Sequence, residues 1–143
     1  MHKVFGDKID TEYRERKGAY LIPIVGNKVA IVKTNKGYFF LGGGVDDAET
    51  DEDCIRRECI EEIGYEVEVG EFICSAETYE LHSEMGYFHP VQRYYYGRLL
   101  KYIQKPIEEE HDLLWINYEE LKGNIYLEMQ NWALEKCLDR LRE

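Results

Sequence analysis

The stretch GGGVDDAETDEDCIRRECIEEIGY, residues 42–65, decides how the rest of the chain is read. Three glycines run into a segment with helical punctuation. Thr50 stands where an N-cap belongs, and Asp53, three residues on, can close a weak capping box with it. Asp51, Glu52 and Asp53 fill the first turn, where the helix dipole favours negative charge. Gly64 is a C-terminal stop. The spacing predicts a helix over residues 51–63 behind a glycine loop.

The two faces of that helix differ. Ile55, Cys59 and Ile63 recur every four residues and can face a core. Glu58, Glu61 and Glu62 stand at i, i+3 and i+4, so their carboxylates converge, at a cost of a few tenths of a kcal/mol per like-charged pair. Folding does not require that cost. A hard divalent cation such as Mg²⁺ or Mn²⁺ reverses its sign. Arg57 is spaced to bridge Glu61, and the glycines let backbone groups approach a ligand closely. The competing reading, a solvated acidic helix face, explains the charge run but neither the glycines nor the fixed spacing.

Counted from Gly43, the residues fit G-x5-E-x7-R-E-U-x-E-E-x-G-U, with U a bulky apolar residue. Gly43, Glu49, Arg57, Glu58, Glu61, Glu62 and Gly64 fall in place, with Cys59 and Tyr65 at the two U positions. Both are softer choices than the usual aliphatics. The segment resembles the Nudix box of the Nudix hydrolases. The resemblance implies an α/β fold, a three-layer α/β/α sandwich with a mixed β-sheet between helices. It also implies Mg²⁺- or Mn²⁺-dependent hydrolysis of a diphosphate linkage in a nucleoside diphosphate derivative, water attacking phosphorus. The substrate classes left open are a nucleoside triphosphate, ADP-ribose, a sugar nucleotide and a dinucleoside polyphosphate. Glu58, Glu61 and Glu62 would ligate the metal, and Gly42 would lend it a backbone carbonyl. Arg57 would orient carboxylates, Glu49 would pair with Arg57 or help bind metal, and Glu61 would share in catalysis.

In this family the general base often lies outside the box. Glu110, His111 and Asp112 precede the strand with Trp115, with Glu110 taken as the catalytic member. Glu80, His82 and Glu84 compete from another loop. Each is also readable as an exposed loop charge.

The remaining chain supplies the frame. Residues 1–17 read as a polar lead-in or an edge strand, with Arg14, Arg16 and Lys17 as cations that can reach a phosphate or a partner. Residues 19–25 and 28–33 are apolar strands joined by a tight hairpin. Residues 38–41 form a short strand that delivers the chain into the glycines. Residues 65–69 and 72–79 read as two extended runs, 80–90 as a loop, 92–100 as a strand and 104–112 as a charged loop. Residues 113–117 are a final strand, a helical turn starts at 118, and 125–142 form an amphipathic helix with Leu127, Leu134, Leu138 and Leu141 on one stripe. Strands, helix, strands, helix in that order imply a mixed sheet with a helix on each face. Tyr79, Tyr87 and one face of Tyr94–Tyr96 can stack on a base, Tyr95 facing opposite to its two neighbours. Lys33, Arg93 and Arg98 read as phosphate contacts or as plain surface cations, and Trp115 and Trp132 as core.

At 143 residues and 44% hydrophobic content the chain fits one domain, 1–143. A net charge of −11 argues against a duplex nucleic-acid or anionic membrane surface. It does not argue against a nucleotide escorted by a metal. Cys54, Cys59, Cys74 and Cys137 lack zinc-site spacing and read as reduced, buried thiols suited to the cytoplasm. The N-terminal residues have no apolar core for a signal peptide, and no run is long enough to span a membrane. A homodimer is the commonest assembly to expect. Two other readings remain: a non-catalytic Nudix-like nucleotide-sensing or partner-binding domain, which should have lost box carboxylates, and a hydrolase or regulator of RNA 5′ ends, which the acidic balance disfavours.

Overall fold

The computed structural model describes residues 1–108 and 110–143. Its elements are β1 (His2–Phe5), β2 (Arg14–Val25), β3 (Lys28–Thr34), β4 (Gly37–Phe39), β5 (Leu41–Gly44), α1 (Asp51–Ile63), β6 (Tyr65–Thr78), β7 (Glu80–His82), β8 (Gly86–Tyr102), β9 (Asp112–Asn117), α2 (Tyr118–Leu121) and α3 (Glu128–Leu141). The sheet order is β1-β6-β8-β2-β3-β4, with β5 on β2, β7 on β8 and β9 on β3. β1 with β6 and β2 with β8 are parallel; the other pairs are antiparallel.

The central strands alternate between two cores. On β2 and β3, Ala19, Leu21, Ala30 and Val32 pack with Cys54, Ile55, Cys59 and Ile63 of α1. Ile22, Val29 and Ile31 pack with Ala133, Leu134, Cys137 and Leu138 of α3. Both faces are covered, which is why these strands read as continuous apolar runs. The mixed sheet with a helix on each face is therefore the α/β sandwich expected. All four cysteines are free and buried. Among the described residues no helix is long and apolar enough to cross a membrane.

Several local expectations change. The glycine loop is a strand: Gly42, Gly43 and Gly44 pair with Tyr20, Ala19 and Gly18. Gly42 has φ +140°, and a Cβ there would strike the Ala19 carbonyl, so glycine is what permits the pairing. The strand through 38–41 breaks at Phe40, whose amide donates to Gln130 Oε1 at 3.0 Å instead of to a ladder. Residues 65–78 are one strand, and register shifts between 69 and 72 explain its reading as two. Residues 80–90 contain β7 and the start of β8, joined by a turn with Gly86 at φ +72°. α3 begins at Glu128 because Leu127 is extended. Leu141 is exposed. Trp132 packs against the α3 core, but Trp115, on the edge strand β9, is 39% exposed and not core.

Candidate active site

α1 is fixed at both ends by its own sequence. Thr50 Oγ1 accepts from the Asp53 amide at 3.1 Å, and Asp53 Oδ2 accepts from the Thr50 amide at 3.3 Å. Gly64 takes the left-handed conformation that ends the helix, at φ +74°. With its apolar stripe against the sheet, the helix turns Glu58, Glu61 and Glu62 toward β5. These acids sit in the C-terminal half of α1, where the helix dipole disfavours negative charge and no basic residue compensates in the last turn.

Arg57 gathers the acids. Its guanidinium donates to both oxygens of Glu49 (2.7 and 3.0 Å), to Glu58 Oε1 (2.9 Å), to Glu61 Oε2 (3.3 Å) and to the Gly44 carbonyl (3.1 Å). The hydrogen bond from Arg57 holds the Glu49 carboxyl down at about 2. Glu58 goes the other way: burial first, then the Glu62 charge, pushes it up to about 7. Glu62 is 6% exposed, and burial raises its carboxyl too, against the opposing pull of His111 and of the Gly42 amide, which donates to it at 2.9 Å.

The three glycines of β5 thus have separate uses. Gly42 offers its amide to Glu62; the expectation for Gly42 concerned its carbonyl. Gly43 leaves room for Glu58, since a Cβ there would lie 2.6 Å from the carboxyl carbon. Gly44 gives its carbonyl to Arg57 and leaves room for the Arg16 guanidinium, 2.8 Å from where a Cβ would stand.

The segment after β8 brings in a residue that the sequence did not single out. The amides of Ile103 and Gln104 donate to the Gly64 carbonyl (2.8 and 3.4 Å), and those of Ile107 and Glu108 to the Glu61 carbonyl (2.9 and 3.2 Å). This hooks Glu108 and His111 over the C-terminus of α1. His111 Nδ1 lies 2.8 Å from Glu108 Oε2 and 3.2 Å from Glu62 Oε2. The Glu62 carboxylate holds the imidazole above its ordinary range. Both contacts are ion pairs by distance, but neither has hydrogen-bond geometry: Nδ1 is the one buried side-chain nitrogen or oxygen without a hydrogen-bond partner among the described residues. The only sequence signal for Glu108 is the run of glutamates before a histidine, and a loop's charges carry no periodicity that selects one of them.

Two donor sets result, each with its ligand atoms within 4.8 Å: Glu62, Glu108 and His111, and Glu58, Glu61 and Glu108. The hard carboxylate oxygens that make up most of both sets suit Mg²⁺ or Mn²⁺. The orphaned Nδ1, the carboxyls pushed toward neutrality and the space kept at Gly43 all fit a cation.

The other sequence candidates are dispersed. Glu110 lines the same cavity but stands outside both donor sets. Asp112 opens β9 opposite Lys33. Glu80 and His82 lie on β7 and line a second cavity, and the Glu84 amide donates to His82 Nδ1. Arg93 and Arg98 are paired with Asp51 and Glu68, and Lys33 lies over the Tyr38 ring. Tyr79 stacks on His89 at 4.1 Å, Tyr94 is fully buried, and Tyr95 and Tyr96 donate to Asp51 and to the Cys137 carbonyl.

The acidic cavity measures about 400 Å³ and the second about 710 Å³. They share Arg16, Tyr20, Lys36 and Phe39. Among the described residues the Arg16 and Lys36 side chains make no ion pair or hydrogen bond, which sets two free cations at the junction.

A NUDIX domain family model matches residues 15–140. Solved structures share the fold. A NUDIX hydrolase from Nitrosomonas europaea superposes with TM-score 0.75 at 10% identity, over 89% of this chain and 90% of its own. A MutT NUDIX hydrolase from Burkholderia pseudomallei gives 0.70 at 21%, over 86% and 98%. An ADP-ribose pyrophosphatase from Streptococcus suis gives 0.67 at 19%, over 90% and 92%. No curated protein matches the chain in sequence.

Proposed function

The chain belongs to the NUDIX family, and we propose that it is a pyrophosphohydrolase that cleaves the diphosphate linkage of a nucleoside diphosphate derivative with Mg²⁺ or Mn²⁺. The observation that carries this reading is the convergence of Glu58, Glu61, Glu62, Glu108 and His111 beside two cations, Arg16 and Lys36.

Glu58, Glu62, Glu108 and His111 would hold the cation, with Glu61 and the Gly42 carbonyl as further donors. When bound, it neutralises phosphate charge and polarises the phosphoryl group. The chain's own groups do the positioning. Arg57 fixes Glu58 and Glu61, and the Gly42 amide fixes Glu62. Arg16 and Lys36 contact the diphosphate oxygens where the two cavities join, and the nucleoside lies in the larger one. His111, as one of the cation's ligands, is not free to act as the base. Glu110, an exposed carboxylate at the cavity rim, accepts the proton of the attacking water, with Glu61 the second acceptor within reach.

The intact box carboxylates disfavour a sensor without turnover. The test is a hydrolysis panel of nucleoside triphosphates, ADP-ribose, sugar nucleotides and dinucleoside polyphosphates with each metal and with chelator. Metal-dependent turnover of one class, lost in Glu62→Gln, is expected. Tight binding of one member without turnover of any would sink the enzymatic reading.

A further inference from the structure

The larger cavity lies on the α3 face of the sheet, and its floor contains a buried amide whose orientation is fixed. The Phe40 backbone amide can only donate, so Gln130 turns its Oε1 toward it, at 3.0 Å. Gln130 Nε2 therefore faces the other way and donates to Gln92 Oε1 at 3.1 Å. The Tyr94 hydroxyl donates to the same oxygen at 2.8 Å. Gln92 is thereby oriented in turn, its carbonyl used twice.

That leaves its Nε2. No described residue accepts from it, although Gln92 is only 5% exposed. The atom is not sealed in the core, because among the described residues the one buried side-chain nitrogen or oxygen without a partner is His111 Nδ1. Gln92 lines the larger cavity, so its free NH₂ opens into that space. Beside it in register on β2 is Gly18, which puts no side chain on the floor. Phe39, Phe88 and Tyr126 supply aromatic wall, with Phe39 and Tyr126 in contact at 5.3 Å between ring centroids. The cavity is therefore aromatic-walled, with one oriented donor at depth and Arg16 and Lys36 at the end that meets the acidic site.

We propose that Gln92 is a specificity-determining residue that donates a hydrogen bond to a ring carbonyl of the substrate's base, so that the enzyme prefers keto-bearing nucleobases. This rests on the nucleotide reading above. A base that places an exocyclic amino group there meets donor against donor and leaves both desolvated. A carbonyl satisfies an amide that no described residue satisfies. Gln130, Tyr94 and the Phe40 amide act through Gln92 and are positioning groups.

The test measures binding, without metal or turnover, by titration calorimetry of nucleoside monophosphates. Guanosine monophosphate is compared with 2-aminopurine riboside monophosphate, which lacks the 6-carbonyl, and uridine monophosphate with pyrimidin-2-one riboside monophosphate, which lacks the 4-carbonyl. Wild type should bind the keto member of at least one pair about five- to tenfold more tightly. In Gln92→Met and Gln92→Glu that ratio should fall to about one. The wild-type comparison alone decides the matter if both variants misfold. Equal affinity within both pairs, an unchanged ratio in a folded variant, or no binding of any monophosphate overturns the proposal. Base discrimination in a protein that hydrolyses nothing would leave Gln92 standing and remove the enzymatic reading. Hydrolysis without discrimination would do the reverse.

Discussion

Two acidic segments meet at the site, and they are held there by different means. α1 carries its own geometry: a complete capping box, a left-handed glycine stop, an apolar stripe on the sheet and Arg57 tying Glu49, Glu58 and Glu61 together. The segment bearing Glu108 and His111 has no such frame. It hangs from α1 by four backbone amides on two carbonyls, those of Glu61 and Gly64. The difference teaches a direction of dependence. Damage to the end of α1 should displace the segment, whereas damage to the segment should leave α1 in place.

The largest effect expected is from α1 itself. Glu62→Gln keeps the acceptor for the Gly42 amide and removes the charge facing His111. We expect kcat to fall by more than about 100-fold, with circular dichroism unchanged. Residual activity near wild type would shift the metal centre away from α1. Next comes Arg57→Ala, expected to lose about 10- to 100-fold by releasing three carboxylates together. Arg57→Lys should rescue little of it, since an ammonium cannot reproduce the two-pronged grip on Glu49. A lysine enzyme close to wild type in kcat would show that charge, not geometry, is what Arg57 supplies.

Glu108→Gln addresses the borrowed segment. Its carboxylate belongs to both donor sets, yet it stands on a hooked loop. The expected result is about a tenfold loss of metal affinity, read by titrating activity against Mn²⁺, with kcat restored at saturating metal. A fall in kcat that metal does not restore would place Glu108 in the chemistry. An unchanged metal titration would remove it from the site.

This asymmetry also explains what could be read from sequence. The limits of α1, its caps and its buried stripe follow from local rules, so the helix expected over 51–63 is the helix found. The fold's layers follow from apolar periodicity on β2, β3 and α3. The strand nature of Gly42–Gly44 was hidden because glycine usually marks a loop, and only the close approach to Ala19 shows why it is needed here. Glu108 was hidden because its place is set by carbonyls at the end of a helix more than forty residues earlier. Gln92 was hidden for a third reason. A lone glutamine in a tyrosine-rich strand has no pattern, and its meaning comes from Gln130 on α3. Trp115 failed in the opposite sense, since residue type pointed to core and the edge position of β9 overrode it.

The smallest effect expected concerns the metal-free protein and separates the two ends of the Arg57 cluster. Glu58 is raised from 4.5 to about 7, chiefly by burial, so the folded state binds its proton more tightly than the unfolded chain does. Its contribution is fully present below pH 4.5 and is lost as pH rises through 7. Glu62 and His111 are shifted upward as well and act in the same sense. Glu49 is opposite: lowered to about 2 by Arg57, it favours the fold above pH 4.5 and loses that effect as pH falls toward 2. With chelator present, stability should therefore decline between pH 5 and pH 8 by on the order of 1 kcal/mol, after allowing for relaxation around a partly accessible carboxylate. Melting curves across that range, on wild type and Glu58→Gln, check it. The variant should show a shallower decline, and saturating Mg²⁺ or Mn²⁺ should reverse the slope in wild type, because the cation takes the place of the protons. A wild-type curve that is flat without metal, or one that Glu58→Gln leaves unaltered, would mean that the carboxylates on α1 relax into solvent on their own and that the frame around Arg57 does not hold them against one another.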